Sequence, residues 1–373
     1  MVFDFLVIGA GMAGVSLADA LAACARVALV EAEPHPGYHA TGRSAALFVP
    51  SYGSATFRAL TRASAPFLRS PPAQYFPQSL LAPRGALHIA RSDQQARFAA
   101  NLEELRSSGS RLELLSPAGA RERIPLLRPA YLAHAAYEPD VDDIDVSALL
   151  QGFLRRARAR GVRVLFGARI GTPRFLSEAW HVELGGERLS ARVLVNAAGA
   201  WAEELGRACG AAPLGLRPLR RTAALIDAPE GVAVSGWPAL FDVEEQFYVK
   251  PEAGRLLVSP ADEEPMPAGD AYADDLTVAL AVERIQQALE LDVQRVRHNW
   301  AGLRTFARDR EPVIGFDPSV AGLFWYAGQG GYGIQTAPAA AQLAAALARG
   351  EGVPAHIAAE GVSARAVAPA RLR

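Results

Sequence analysis

The chain has 373 residues but only one lysine, Lys250, so 37 of its 38 basic residues (38 − 1) are arginine. A GC-rich coding bias accounts for this without any appeal to function. The scarcity still excludes a Walker-type phosphate loop, which needs GxxxxGK[ST]. Cysteine is also scarce: Cys24 and Cys209 stand far apart without CxxC spacing, which argues against a disulfide framework, a structural zinc site or an iron–sulfur site. The seven histidines form no HExxH pair, so nothing supports a metal centre. The formal net charge is −1 and there is no charge run, so no nucleic-acid partner is expected. No apolar run is both long enough and free enough of glycine to cross a bilayer, and the Ala-rich stretch 337–348 is too short. The first residues, MVFDFLVIGAGMAG, lack a basic n-region and a cleavage site. The expectation is a cytoplasmic protein, with peripheral membrane contact left open. Hydrophobic residues are plentiful, at 50%, enough for a full core in one large domain or two interleaved ones.

The N-terminal stretch carries the first positive signal. FLVIGAG is a short apolar strand running into glycine, MAGVSLADALAACA has helical period, and RVALVEAE is a second apolar strand ending in an acid. Gly9, Gly11 and Gly14 form GxGxxG, and Glu31 follows Gly9 by 22 residues (31 − 9). Each position has a mechanical reason. Gly9 makes the tight turn, Gly11 lets the backbone approach a pyrophosphate beside Met12 and Ala13, and Gly14 lets helix and strand pack closely. Glu31 accepts from ribose hydroxyls. GxGxxG alone is a weak signal; with strand, helix and acid at these spacings it predicts a dinucleotide site.

The next segment leaves the simple NAD pattern. PGYHATGRSAALF is short, polar and turn-rich, then reads as apolar and helical. In a chain that binds FAD such a loop lies along the pyrophosphate and flavin, with Arg43, Ser44 and Ala45 in contact; the bland alternative is a surface loop. Residues 80–140 read as an excursion of strands and one helix. The chain then re-enters helix at DVSALLQGFLRRARARG with Asp145 as N-cap. VRVLFGARI follows as a strand, with Ile170 at its end, and VLVNAAGAW as an apolar strand ending in small residues, with Gly199 and Trp201 beside the ligand. Residues 216–300 form a second, strand-rich excursion. Near the C-terminus, GQGGYGIQT (Gly328 to Thr336) has four glycines in nine residues, yet an Ala-rich helix follows at once. Glycine serves where the backbone takes unusual angles or approaches something closely. A helix N-terminus carries unpaired N–H groups and a partial positive charge, so an electron-rich group is expected there.

Taken together, GAGMAG, YHATGRSAA, VLVNAAGAW, WAGLRTF and GQGGYGIQT resemble, in this order and over essentially the whole chain, the D-amino-acid oxidase/glycine oxidase superfamily of FAD-dependent amine oxidoreductases. Within it the chain is most similar to bacterial D-arginine dehydrogenase-type enzymes. The resemblance implies an α/β fold: a Rossmann-like FAD-binding domain (1–79, 141–215 and 301–373) with an interleaved α+β, antiparallel-rich substrate domain (80–140 and 216–300). It implies non-covalent FAD, since neither cysteine lies near a flavin-facing motif. It places Gly330, Gly331, Tyr332, Gly333, Ile334, Gln335 and Thr336 against the pyrimidine end of the flavin ring, where N–H groups stabilise the charge gained on reduction. It assigns Arg304 as the carboxylate clamp, Tyr248 as its partner, Arg221 as a second arginine, Tyr52 as a ring over the substrate and the Gly331 carbonyl as acceptor for the amine. For Arg221 a plain salt bridge is the competing reading.

The side-chain pocket departs from that pattern. Enzymes of this type that take cationic substrates carry an acid just after LLxPR; here LLAPRGAL places Ala86 there. Leu47 and Val49 stand where polar residues are expected, and Ala239 and Phe241 also line the pocket. A buried cation without a partner costs several kcal/mol. The expected reaction is therefore oxidative deamination of a neutral, hydrophobic D-amino acid, with D-proline also compatible. Hydride passes from Cα to flavin, and the imine hydrolyses to a 2-oxo acid and ammonia. The rival readings are a sarcosine- or glycine-type amine oxidase, a 2-hydroxy-acid oxidoreductase and a non-catalytic flavin-binding protein. The electron acceptor is a quinone-like molecule or O2, with the resemblance favouring a dehydrogenase.

Overall fold

A computed structural model describes residues 2–373. Its centre is a parallel sheet whose strands run in the order Arg163–Leu165, Val27–Val30, Val2–Ile8, Glu187–Asn196 and Leu323–Ala327. Val313–Phe316 pairs antiparallel on Leu323–Ala327, and a hairpin, Arg174–Leu176 with Ala179–Leu184, extends the first half of Glu187–Asn196. The strand Val27–Val30 is buried along its whole length, as expected for a parallel strand covered on both faces.

Three helices cover one face: Met12–Leu21, Val146–Ala159 and Ala337–Ala348. Asp145 caps the second, its side chain accepting the Ala148 N–H at 2.7 Å, as the sequence predicts. Alanine is the best helix former, and Ala337–Ala348 is buried almost all round between its neighbours. Burying its Leu343 contributes about 2 kcal/mol. Asp19 on the first helix is almost wholly buried and receives Arg156 Nη2 at 2.6 Å and Arg160 Nη1 at 3.2 Å from the second.

The second sheet has nine strands and is mainly antiparallel. Its central run is Arg217–Ile226, Arg255–Ser259, Tyr248–Glu252, Ala239–Asp242, Ala86–Ala90 and His134–Glu138, with one parallel step between Ala239–Asp242 and Ala86–Ala90. The long strand Val296–Phe306 pairs with Arg217–Ile226 and continues past residue 300, so the second sheet carries Arg304. A small sheet of Leu47–Phe48, Leu81–Pro83 and Asp142–Ile144 joins the two units.

Two local expectations fail. SAALF is not helical: Ala46 has φ +37 and Leu47–Phe48 pairs with Asp142 and Asp143. A tertiary partner overrides local periodicity here. The glycine run is not the first turn of the helix that follows. It forms turns, and the helix begins only at Ala337, with Thr336 as N-cap and no side-chain cap.

Candidate active site

A cavity of about 530 Å³ runs from the first β–α turn to the face of the second sheet. At its inner end Gly9 has φ +103, and a β-carbon there would lie 2.5 Å from the Ala197 carbonyl oxygen. Gly14 packs so tightly that a β-carbon would meet the Gly9 oxygen at 1.8 Å. The helix Met12–Leu21 opens at Gly11 with no side-chain cap and no acid in its first turn. Its leading N–H groups therefore lack the usual partners, apart from Met12, whose N–H donates to Thr41 Oγ1 at 2.9 Å. Gly9, Gly11, Met12 and Ala13 all line the cavity. Glu31 stands beside them, accepting the Ala10 N–H at 2.6 Å through Oε2 and the Glu33 N–H at 2.9 Å through Oε1. An uncapped, positive helix end facing a fixed carboxylate suits a pyrophosphate followed by a ribose.

The middle of the cavity is lined by Arg43, Ser44, Ala45, Ile170, Gly199 and Trp201. Trp201 packs on His39, ring centroids 4.6 Å apart. The Arg43 guanidinium already has partners within the protein. It donates to the carbonyls of Ala271 at 2.9 Å and Ala301 at 3.0 Å and pairs with Asp270, tying the 269–271 segment over the cavity. Ser44 Oγ accepts the Ala46 N–H at 3.1 Å.

At the far end Arg304, Tyr248, Arg221, Gly330, Gly331, Gly333 and Ile334 come together on the lining. Arg304 is half-buried, and among the described residues its guanidinium makes no hydrogen bond or ion pair. Burial is the largest single influence and lowers its pKa, but Tyr248, Tyr52, Tyr332 and the Glu263 carboxylate together outweigh it, and the guanidinium is held above the ordinary arginine range. Arg221 is anchored: its Nε donates to the Asp262 carbonyl at 2.8 Å and its Nη2 to Glu263 Oε1 at 3.1 Å. The two arginines thus differ, one committed to a structural pair and one free towards the cavity.

Other predicted residues lie elsewhere. Tyr332 is buried away from the lining, stacked on Phe57 at 4.2 Å, and burial pushes its hydroxyl well above the usual range. Tyr52 sits against it at 4.9 Å and is partly exposed. Gln335 Oε1 accepts the Val49 N–H and its Nε2 donates to Thr61 Oγ1, both at 3.0 Å. Thr336 Oγ1 donates to the Tyr332 carbonyl at 2.9 Å. The side chains of Gln335 and Thr336 therefore serve the protein rather than the cavity. Leu47, Val49, Ala86 and Phe241 gather into one apolar cluster with Val141, and Ala239 is the direct cross-strand partner of Ala86.

Several residues were missed. Thr305 Oγ1 and Gln329 Nε2 are buried without a hydrogen-bond partner among the described residues, and both residues line the cavity. Their sequence signal was adjacency, to Arg304 and to the glycine run. Thr41, inside YHATGRSAA, had the same kind of signal. Glu263 had none, because only the fold brings it to the arginines. Orphaned polar groups at one end, a glycine cradle at the other and a carboxylate beside the uncapped helix start together fit a flavin dinucleotide. Among the described residues no cysteine lines this cavity, and burial pushes the Cys209 thiol up to about 12.

Comparison with known proteins agrees with the geometry. The family model for DAO, described as FAD dependent oxidoreductase, matches residues 4–347. The chain is 25% identical over 304 residues to FAD-dependent oxidoreductase domain-containing protein 1 of Bos taurus, covering 71% of this chain and 62% of that protein. It is 24% identical over 257 residues to mitochondrial sarcosine dehydrogenase of Mus musculus, covering 64% of this chain and 28% of that protein. The chain thus spans less than two thirds of the length of these relatives. The crystal structure of glycine oxidase from Geobacillus kaustophilus shares the fold, with a TM-score of 0.82 at 24% identity over 94% of this chain and 95% of that one. Among the described residues no helix is long and apolar enough to cross a membrane.

Proposed function

We propose a reaction from one premise: the chain belongs to the FAD-dependent oxidoreductase family. Its cofactor is FAD. The proposed activity is oxidative deamination of an α-amino acid, with a neutral, apolar D-amino acid as substrate. The observation that carries it is Arg304: a guanidinium without a partner, facing the cavity beside Tyr248 and the Gly330–Gly331 backbone.

A guanidinium matches a carboxylate with two parallel hydrogen bonds, and Arg304 holds the substrate carboxylate in this way. The Tyr248 hydroxyl adds a third contact. Arg221, fixed by Glu263 and the Asp262 carbonyl, contributes positive charge without moving. The Gly331 carbonyl accepts from the amine, which enters neutral, so Cα–H is presented without a strong base. FAD, when bound, supplies the hydride acceptor. Gln329 and Thr305 offer hydrogen-bonding groups at the same end of the cavity. The imine released then hydrolyses to a 2-oxo acid and ammonia. The electron acceptor is a quinone-like molecule or O2. The apolar cluster of Leu47, Val49, Ala86 and Phe241 supports an apolar stem on the substrate side chain.

A sarcosine- or glycine-type amine oxidation is the second reading, favoured by the sequence likeness to a sarcosine dehydrogenase. The test is anaerobic mixing of the FAD-loaded protein with D-Leu, D-Phe, D-Met, D-Pro, D-Arg, sarcosine and lactate while flavin absorbance is followed. Bleaching by the neutral D-amino acids and not by D-Arg is expected. Bleaching by sarcosine alone establishes the second reading, and bleaching by lactate alone moves the activity to 2-hydroxy acids. Readmitting air then shows whether O2 reoxidises the flavin.

A further inference from the structure

Glu138 is a wholly buried carboxyl group that no predicted role uses. It stands directly across the ladder from Ala86. Cross-strand partners share one face of a sheet, and the register extends that face. His88 lies two residues along from Ala86 and opposite Phe241, and Phe241 lies opposite Tyr248 of the cavity. The rings follow the same path, His88 on Phe241 at 5.6 Å and Phe241 near Tyr248 at 6.1 Å. A continuous row of packed side chains therefore connects Tyr248, on the cavity lining, to Glu138.

The hydrogen bonding of this corner is incomplete. Ser51 Oγ donates to Glu138 Oε2 at 3.0 Å. His88 Nε2 stands 3.5 Å from the same oxygen, too far for a good hydrogen bond. Glu138 Oε1 and His88 Nε2 are both buried with no partner among the described residues. The deficit holds for either protonation state of the carboxyl. Ionised, Oε1 is an acceptor without a donor; protonated there, it is a donor without an acceptor. Buried polar groups in native proteins are almost always paired, so this pair marks a place where something else completes the bonding. The surroundings, Val49, Ala86, Val141, Leu47 and Phe241, are apolar.

We propose that Glu138 and His88 form a distal subsite for a hydroxyl group at the end of an otherwise apolar substrate side chain. A hydroxyl both donates and accepts, so it satisfies this corner in either protonation state, while its apolar stem lies along Phe241. The carboxyl thus sits across the ladder from the position where Ala86 supplies only a methyl group. The subsite deepens, and rests on, the amino-acid reading of the cavity.

The experiment compares two pairs that differ by one hydroxyl. The FAD-loaded protein is titrated with 3-(4-hydroxyphenyl)propanoate and with 3-phenylpropanoate, reading Kd from the flavin absorbance change. It is then reduced anaerobically with D-Tyr and with D-Phe. The hydroxylated member of each pair is expected to be favoured roughly ten- to a hundredfold, because a site built around a hydrogen bond rejects the analogue that lacks it. In Glu138→Leu both ratios should fall to about one. Equal or better binding of 3-phenylpropanoate by the unaltered protein overturns the subsite without needing any variant to fold, as does a preference for D-Lys or D-Arg over D-Tyr. If both propanoates bind with the expected ratio but no amino acid reduces the flavin, the subsite stands and the reaction reading fails. If D-Phe reduces the flavin as well as D-Tyr does, the reaction stands and the subsite fails.

Discussion

Gly331 lies so close to Arg304 that a β-carbon on it would stand 2.9 Å from the guanidinium Nη1 and 3.3 Å from Cζ. A contact under 3.0 Å forces a shift, and here the end of the Arg304 side chain is what must give, so the glycine and the arginine fit as a pair. Gly330 is constrained separately: its φ is +53 and a β-carbon would enter the Phe306 ring at 2.2 Å. The glycine run thus does two jobs side by side, one beside the Arg304 guanidinium and one in folding the turn.

Gly331→Ala should displace the Arg304 guanidinium by a fraction of an ångström while leaving the nucleotide end untouched. The expected result is a fall of about 10- to 100-fold in kcat/KM, with the FAD content per chain unchanged. Steady-state kinetics and the ratio of flavin to protein absorbance check both halves.

Arg304→Lys keeps the charge and loses the paired hydrogen bonds. A loss of about 1.5–3 kcal/mol is expected, seen mainly as a raised KM for carboxylate substrates. If KM is unchanged and only Tm falls, Arg304 is structural and the clamp reading fails.

Glu31→Gln retains the shape of the side chain but removes its charge beside the Ala10 and Glu33 N–H groups. FAD binding should weaken by about 1–2 kcal/mol, measured by titrating the FAD-free protein and following flavin fluorescence. Turnover kinetics at saturating FAD should change little.

Glu263 links folding to pH at the edge of the site. Burial raises its pKa, but hydrogen bonds from Arg310 at 2.8 and 3.0 Å, with Arg221 and Arg304 nearby, outweigh burial and hold it below its ordinary value of 4.5. A carboxyl depressed in the folded state stabilises the protein above its unfolded pKa and loses that contribution as pH falls through the folded one. Tm should therefore drop as pH goes below about 4.5, and Glu263→Gln should flatten that drop while lowering Tm at pH 7.

Asp19→Ala would leave Arg156 without its buried partner where the Met12–Leu21 and Val146–Ala159 helices meet. Removing one member of a buried pair costs about 3–5 kcal/mol, so denaturant midpoints should fall sharply. Replacing Arg156 and Asp19 together by apolar residues should cost less than either single change.

Local chemistry made much of this protein legible in the amino-acid sequence. GxGxxG needs only neighbouring residues to form a turn and expose N–H groups, so Gly9, Gly11, Gly14 and the nearby Glu31 could be read directly. Asp145 as a helix cap and the excess of strands after residue 216 are equally local. Non-local partners decided the rest. Leu47 and Phe48 became a strand because Asp142 and Asp143 pair with them, and Gln335 turned inward because Val49 and Thr61 meet it there. Arg221 and Arg304 look alike in sequence, but Glu263 and the Asp262 carbonyl occupy only the first. Glu138 had no sequence signal, since its importance comes from facing Ala86 across a ladder with 51 residues (138 − 86 − 1) between them. The sequence by itself fixed which turns can bind a dinucleotide, because backbone conformation is set by near neighbours. The tertiary structure decided which polar groups are already paired and which remain free for a substrate, because hydrogen-bond partners are set by what the fold brings together.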